Sequence, residues 1–370
     1  MNILHIDICK SWCEGESQLL QLGRAIQKRG HHLWVGAPPK SRLFLKSAEF
    51  RVGTVSIRRR RVFKLLEAMR IGRRVERNGI DILHLHGLLS LRFGLWVKRF
   101  TRAGVIVILS LRKVPPSFKK VRRLIEGGGL EYIVVKSEVV QKKLESGRIP
   151  SERLSLIYDG VDLIRFSPAV KPFDLFQEYS LPPEMTVIGY VAPSLCNKGE
   201  RTLIEAAREV VSLNPETIFL IVGESKKKKG LEALIEQYGL SESFIFCGFP
   251  ERMPDILAAL DLFVFPAVEG GLTLTILEAM ATAVPVIIAD LPGVKELIKD
   301  GVNGIIVPPA NPHTLAKAII EFMENRRKWR VMGQEGRRAA EARFDLNKTV
   351  KETEELYQQL LKKRGQQGDG

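Results

Sequence analysis

The feature that most constrains this chain is a short apolar strand, an amphipathic helix and a second short strand, repeated along most of its length. Asn2-Ile3-Leu4-His5-Ile6-Asp7-Ile8 is β-branched and apolar, and Leu19, Leu20, Leu22, Ala25 and Ile26 then fall on one helical face. Gly30 stops that helix, and His32-Leu33-Trp34-Val35-Gly36 is a strand again. A β-α-β unit requires parallel strands joined by a right-handed crossover, so its repetition builds a doubly wound sheet. The same rhythm places strands at 52–57, 81–85, 104–110 and 131–135, with helices near 62–77, 90–101, 118–126 and 137–146.

Between Tyr158 and Pro183 the rhythm breaks into Asp159-Gly160-Val161-Asp162, Pro168, Pro172 and Pro182-Pro183, a turn-rich stretch suited to a boundary. The expected organisation is a first domain over 1–165, a linker over 166–183 and a second domain over 184–345. In the second, strands at 186–191, 218–222, 244–247, 262–265 and 284–289 alternate with helices at 202–213, 230–238, 253–260 and 274–282. Helices at 311–324 and 328–343 follow, and an amphipathic one at 347–363 is expected to pack back on the first domain. The fold class is therefore α/β, with two Rossmann-like doubly wound domains.

Composition fits that reading. At 370 residues, 45% hydrophobic and 27% charged, the chain has material for two cores and excludes fibrous, low-complexity and wholly disordered classes. Its longest uncharged apolar runs, 104–111 and 279–289, fall well short of the roughly 20 residues a spanning helix needs. With no signal-peptide pattern at the start, a cytoplasmic location is expected. The four cysteines (Cys9, Cys13, Cys196, Cys247) show no Cys-x-x-Cys spacing and are read as packing thiols. Charge divides the chain: residues 1–150 hold 31 Lys+Arg against 11 Asp+Glu, a net +20, and residues 151–370 hold 26 against 31, a net −5.

The most specific segment is Glu269-Gly270-Gly271-Leu272-Thr273-Leu274-Thr275-Ile276-Leu277-Glu278-Ala279-Met280-Ala281. It sets a glycine-rich turn before a helix whose free amides and positive dipole end suit a diphosphate, with Glu278 a turn inside to accept from ribose hydroxyls. Val187-Ile188-Gly189-Tyr190-Val191 leading into Lys198-Gly199 aims a lysine at the same sheet edge.

With these pieces, and with Asp81-Ile82-Leu83-His84-Leu85-His86, Ile157-Tyr158-Asp159-Gly160-Val161-Asp162, Phe166-Ser167-Pro168, Ile221-Val222-Gly223, Phe246-Cys247-Gly248, Pro285-Val286-Ile287 and Asp300 to Pro308, the chain resembles the retaining family 4 (group 1) glycosyltransferases of GT-B fold. The resemblance runs nearly the whole length and implies two facing Rossmann-like domains and a nucleotide diphosphate sugar as co-substrate. It implies donor binding by Glu278, Lys198, Gly270, Gly271, the amides around Thr273 and Leu274, and Phe249 near the base, with Gly15 and Glu16 in a loop closing over the phosphates. His86 and Glu269 are the candidates for the chemistry. No metal or other cofactor is implied, since cations and the helix dipole neutralise the leaving diphosphate.

Four positions depart from the family pattern. Pro193 replaces an arginine, Gly270 replaces the first glutamate of a pair, Ser110 or Leu111 stands where a histidine is common, and Glu14-Gly15-Glu16 carries carboxylates in a loop usually written Gly-Gly. They leave an alternative: a catalytically silent relative that binds a sugar nucleotide or a partner without turnover. His84 and His86, two apart on a strand, are expected to face opposite sides, His86 toward the site and His84 structural. With no cysteine or carboxylate at ligand spacing, they are not read as a metal site.

The basic half has a membrane reading. Arg58, Arg59, Arg60 and Arg61 precede a helix with apolar residues 62, 65, 66 and 69 on one face and arginines on the other, and Lys119, Lys120, Arg122 and Arg123 repeat the design. Such a surface suits a glycolipid or glycan acceptor, as in lipopolysaccharide synthesis, at an anionic inner leaflet, each basic residue contributing about 1 kcal/mol there. Nucleic acid is set aside as a partner, because no zinc finger, RNA motif or recognition-helix pattern occurs.

Overall fold

A computed structural model describes residues 1–9, 14–58, 64–101, 104–191, 199–223, 228–248, 252–268 and 273–368. The chain divides into two compact units, one of residues 1–159 with 346–370 and one of residues 160–345. Each holds one parallel sheet, so the fold class read from the sequence holds.

The first unit contains strands β1 (Asn2–Ile6), β2 (His32–Ala37), β3 (Gly53–Ser56), β4 (Ile82–His86), β5 (Ile106–Leu111), β6 (Tyr132–Val135) and β7 (Leu154–Leu156). Its helices are α1 (Glu14–Lys28), α2 (Arg42–Glu49), α3 (Lys64–Arg77), α4 (Gly87–Arg99), α5 (Phe118–Glu126) and α6 (Glu138–Ser146). The strands lie in the order β3-β2-β1-β4-β5-β6-β7. Strand alternation gives this sheet two apolar faces. Leu4, Ile6, Leu83, Leu85, Val107 and Leu109 pack on helices α3 to α6. Ile3, Ile82, Ile106, Ile108 and Val134 face α1. Ser41, Ser117 and Ser137 start α2, α5 and α6 by accepting the amide three residues on, the usual N-cap device.

The second unit contains α7 (Leu175–Glu178), β8 (Thr186–Val191), α8 (Gly199–Leu213), β9 (Thr217–Val222), α9 (Lys228–Gln237), β10 (Phe244–Gly248), α10 (Met253–Ala258), β11 (Leu262–Phe265), α11 (Leu274–Ala281), β12 (Val286–Ala289), α12 (Val294–Leu297), β13 (Ile305–Val307), α13 (Pro312–Glu324) and α14 (Arg326–Arg343). The strands are ordered β10-β9-β8-β11-β12-β13. Trp329 of α14 is fully buried edge-on against Phe322, and Arg337 donates to the carbonyls of Leu163, Phe166 and Ala281.

The final helix, α15 (Leu346–Gly368), belongs to the first unit. Val350, Leu356, Tyr357 and Leu360 join the core that α1 covers, and Glu354 pairs with Arg29 and His31 beyond the end of α1, both at 2.7 Å.

Several details differ from the sequence reading. The chain passes between units at 159/160 rather than 165, and 166–183 is packed into the second unit, where Phe166 and Leu175 are buried and Phe173 donates to the Asp255 carbonyl. Strands β7 and β13 and helix α2 were not expected; three-residue edge strands carry too little alternation to register. In α3 the core face is Ala68, Ile71 and Val75, while Leu65 and Leu66, on the apolar row read opposite the arginines, stand 51% and 60% exposed.

Candidate functional site

In open parallel sheets, ligands bind beyond the carboxyl ends of the strands where strand order reverses. Those points are between β1 and β4 in the first unit and between β8 and β11 in the second.

At the second-unit edge, α11 begins at Leu274. Thr273 is its N-cap, the hydroxyl accepting from the Ile276 amide at 3.4 Å, and the positive end of the helix dipole lies there. Leu274 is buried, and Glu278 lies half-buried one turn on. The start of α8 is pressed against the exit of β11: a Cβ on Gly199 would come within 2.6 Å of the Pro266 carbonyl oxygen. Only glycine lets the helix begin there. Lys198, Phe249, Glu269, Gly270 and Gly271 lie outside the described residues, as does Pro193.

At the first-unit edge the structure assembles a buried polar cluster that sequence reasoning only partly anticipated. Asp7 follows β1, and Glu16, one turn into α1, is buried beside it. Asp7 also accepts the Cys9 amide at 2.8 Å. Burial and then the Glu16 charge push its carboxyl up to about 7, against the lowering effects of the Cys9 amide and Arg112. Gly15 borders Arg112, whose Nη1 would be 3.0 Å from a Cβ there.

Arg112 ends a charged row along the carboxyl edge of β5, β6 and β7. Its Nε and Nη2 donate to the two oxygens of Asp159 at 3.0 and 3.3 Å, and Lys136 Nζ lies 3.4 Å from the same carboxylate. Burial would raise the Asp159 carboxyl, but Arg112 and Lys136 outweigh it and hold it below the usual range. Burial lowers Lys136 in turn.

His84 and His86 do not face opposite sides. Side chains alternate at every residue of a strand, so residues two apart share a face, and the two rings stack with centroids 4.6 Å apart. The structure adds His5, paired laterally with His84 across β1 and β4. All three are buried, and burial is the main cause holding them neutral, His5 down to about 3. Among the described residues they are the one group placed to hold a metal, with ligand atoms within 4.8 Å of one another. Five of the six ring nitrogens already have hydrogen-bond partners.

Of the basic residues, Arg58, Lys119, Lys120 and Arg123 are exposed and Arg122 is half-buried, while Arg59, Arg60 and Arg61 lie outside the described residues. No described helix is long and apolar enough to cross a membrane.

Residues 173–339 match the family described as Glycosyl transferases group 1, and residues 15–165 match Glycosyltransferase Family 4. The chain belongs to the group 1, family 4 glycosyltransferases. It is 30% identical over 201 residues to the putative glycosyltransferase EpsD of Bacillus subtilis, covering 54% of this chain and 52% of that one. It is 27% identical over 209 residues to the UDP-Gal:alpha-D-GlcNAc-diphosphoundecaprenol alpha-1,3-galactosyltransferase of Escherichia coli, covering 55% and 54%. The chain thus spans about half the length of these curated relatives. In fold it is similar to the crystal structure of Anabaena HepE in complex with UDP, with a TM-score of 0.84, 21% identity, and coverage of 97% of this chain and 100% of that one.

Histidine 5, Asp7, Arg112, Lys136, Asp159 and Tyr357 were not singled out by sequence reasoning. His5 had a signal, an ionisable side chain within an apolar strand. Tyr357 had none, because it reaches the cluster only through the return of α15.

Proposed function

We propose that this glycosyltransferase moves a sugar from a nucleotide diphosphate donor to a cell-envelope glycolipid or glycan, with retention at the sugar carbon and without a metal. The observation that carries the donor reading is the Thr273-capped start of α11, with Glu278 a turn inside it, at the strand-order reversal of the second sheet. The UDP bound by HepE and the UDP-Gal donor named for the Escherichia coli relative support it. The first unit takes the acceptor, a lipid-linked diphosphate glycan being the acceptor class in that relative's name.

Thermal-shift screening against nucleoside diphosphates and nucleotide sugars tests this reading, since a ligand bound only by the native state raises the melting temperature. One base should give a selective shift, and Glu278→Gln should weaken that ligand about tenfold, the 1.4 kcal/mol scale of a charge-assisted hydrogen bond. Unchanged affinity in the variant would remove the site. Binding with no transfer to any glycolipid would select the silent relative. Transfer that persists in EDTA, with an α-linked product from an α-linked donor, would support the metal-free retaining chemistry.

We further propose peripheral attachment to the cytoplasmic face of an anionic membrane. Exposed Leu65 and Leu66 beside the arginines of α3, with Lys119, Lys120 and Arg123 on α5, support it. Replacing Arg58 to Arg61 by glutamine should lower partition onto anionic vesicles at least about tenfold at low salt, from about 1 kcal/mol per basic residue. Binding to neutral vesicles should not change; equal losses on both would argue against an electrostatic anchor.

A further inference from the structure

His86 is the end of a continuous buried chain of hydrogen bonds. Ser110 Oγ lies 2.7 Å from His84 Nε2, His84 Nδ1 lies 2.5 Å from Tyr357 Oη, Tyr357 Oη lies 3.2 Å from His5 Nε2, and His5 Nδ1 lies 3.1 Å from His86 Nε2. His86 Nδ1 is buried with no partner.

Counting protons restricts the chain. Each neutral imidazole carries one N–H and the phenol carries one O–H, so every link needs one donor and one acceptor. If Tyr357 accepted from both neighbours, its own proton would be buried unpaired. The chain therefore runs one way throughout. Run from His86 to Ser110, it leaves the serine proton without an acceptor and the His86 Nδ1 lone pair without a donor. Run from Ser110 to His86, every proton is used except one, the N–H on His86 Nδ1. Each direction leaves one orphaned buried donor, but only the run from His86 also strands the His86 Nδ1 lone pair, so the run from Ser110 leaves fewer orphans.

We propose that Ser110, His84, Tyr357 and His5 form a one-way hydrogen-bond chain that fixes His86 as the Nδ1–H tautomer, ready to donate to an oxygen on the ligand. Ser110 and Tyr357 are then positioning residues that act through the other histidines. Ser110 starts the chain, and the C-terminal helix closes it. That the oxygen belongs to a sugar nucleotide or its glycan acceptor rests on the function proposed above; the tautomer does not.

The test is long-range proton–nitrogen correlation on the full chain labelled with ¹⁵N-histidine, without ligand, the His86 signals being assigned by their loss in His86→Gln. Wild-type His86 should show a protonated Nδ1 and a bare Nε2 in at least about a tenfold excess, the ratio one further unsatisfied buried acceptor imposes. Ser110→Ala removes the donor that sets the direction, and Tyr357→Phe cuts the chain in the middle. Each should bring the two tautomers to roughly equal populations, because both directions then leave the same orphans. Ser110→Thr should restore the excess, and adding Ser110→Ala to Tyr357→Phe should change nothing further at His86. A purely structural role for either residue would not move the tautomer. If one variant fails to fold, the other carries the test. A wild-type His86 protonated on Nε2 would overturn the proposal. So would a preference that survives the substitutions, or stoichiometric Zn²⁺ shifting all three histidines together. Failure of nucleotide binding would leave this readout untouched and count only against the function.

Discussion

Asp159→Ala is expected to destabilise the first unit by about 3–5 kcal/mol, the cost of removing one partner from a buried ion pair. Asp159 accepts both forks of Arg112 and the ammonium of Lys136, whose side chain is 8% exposed. Without the carboxylate, two cations are left facing each other in a site that water reaches poorly. Bidentate geometry separates this cluster from surface bridges such as Lys142 with Glu138, which contribute less than about 1 kcal/mol. Urea unfolding of wild type and variant measures the difference; a loss under about 1 kcal/mol would reclassify the cluster as a solvated surface pair. The folded carboxyl is depressed, so its contribution is present above the ordinary carboxylate range and fades as pH falls through its lowered value. The gap between wild type and Asp159→Ala should therefore narrow in acid.

Asp7→Asn should have the opposite sign. The Asp7 carboxyl titrates near pH 7 in the fold against 3.8 for the free side chain. Between those values the folded state binds more protons than the unfolded one. Its contribution is therefore fully present below about 4 and lost as pH rises through 7. Moving from pH 5 to pH 8 should cost wild type about 2–3 kcal/mol at this residue, at 1.36 kcal/mol per pH unit over the span. Asparagine copies the neutral acid, keeps an acceptor for the Cys9 amide and does not titrate. Relative to wild type, the variant should gain about 5–10 °C in melting temperature between pH 5 and pH 8, using about 2–4 °C per kcal/mol for a unit of this size. Parallel melting curves across that range would show that Asp7 is ionised throughout. The same proton bears on function. Held on Asp7 near neutral pH, it removes one negative charge from this edge.

Much of the fold was legible because it is written in local periodicity. The alternation of Ile3, His5 and Ile82, His84 with Leu4, Ile6 and Leu83, Leu85 is enough to declare buried parallel strands. Thr273 before an apolar run declares a helix start. The three-residue strands β7 and β13 fell below that resolution. In α3 the exposed Leu65 and Leu66 are as hydrophobic as the residues it buries, and hydrophobicity alone does not say which row meets the sheet.

The candidate site divides the same way. Sequence alone determined two doubly wound domains, the family, and the placing of Thr273 and Glu278 at a helix start, all consequences of neighbours a few residues apart. Only the tertiary structure decided that His5, His84 and His86 share one face, that Arg112, Lys136 and Asp159 converge from the ends of three strands, and that Tyr357 enters their company from 273 residues beyond His84. The reason is physical. Hydrogen bonds and ion pairs depend on distances of about 3 Å between atoms whose separation in sequence is set by sheet order and by the return of α15, and local propensity carries no information about either.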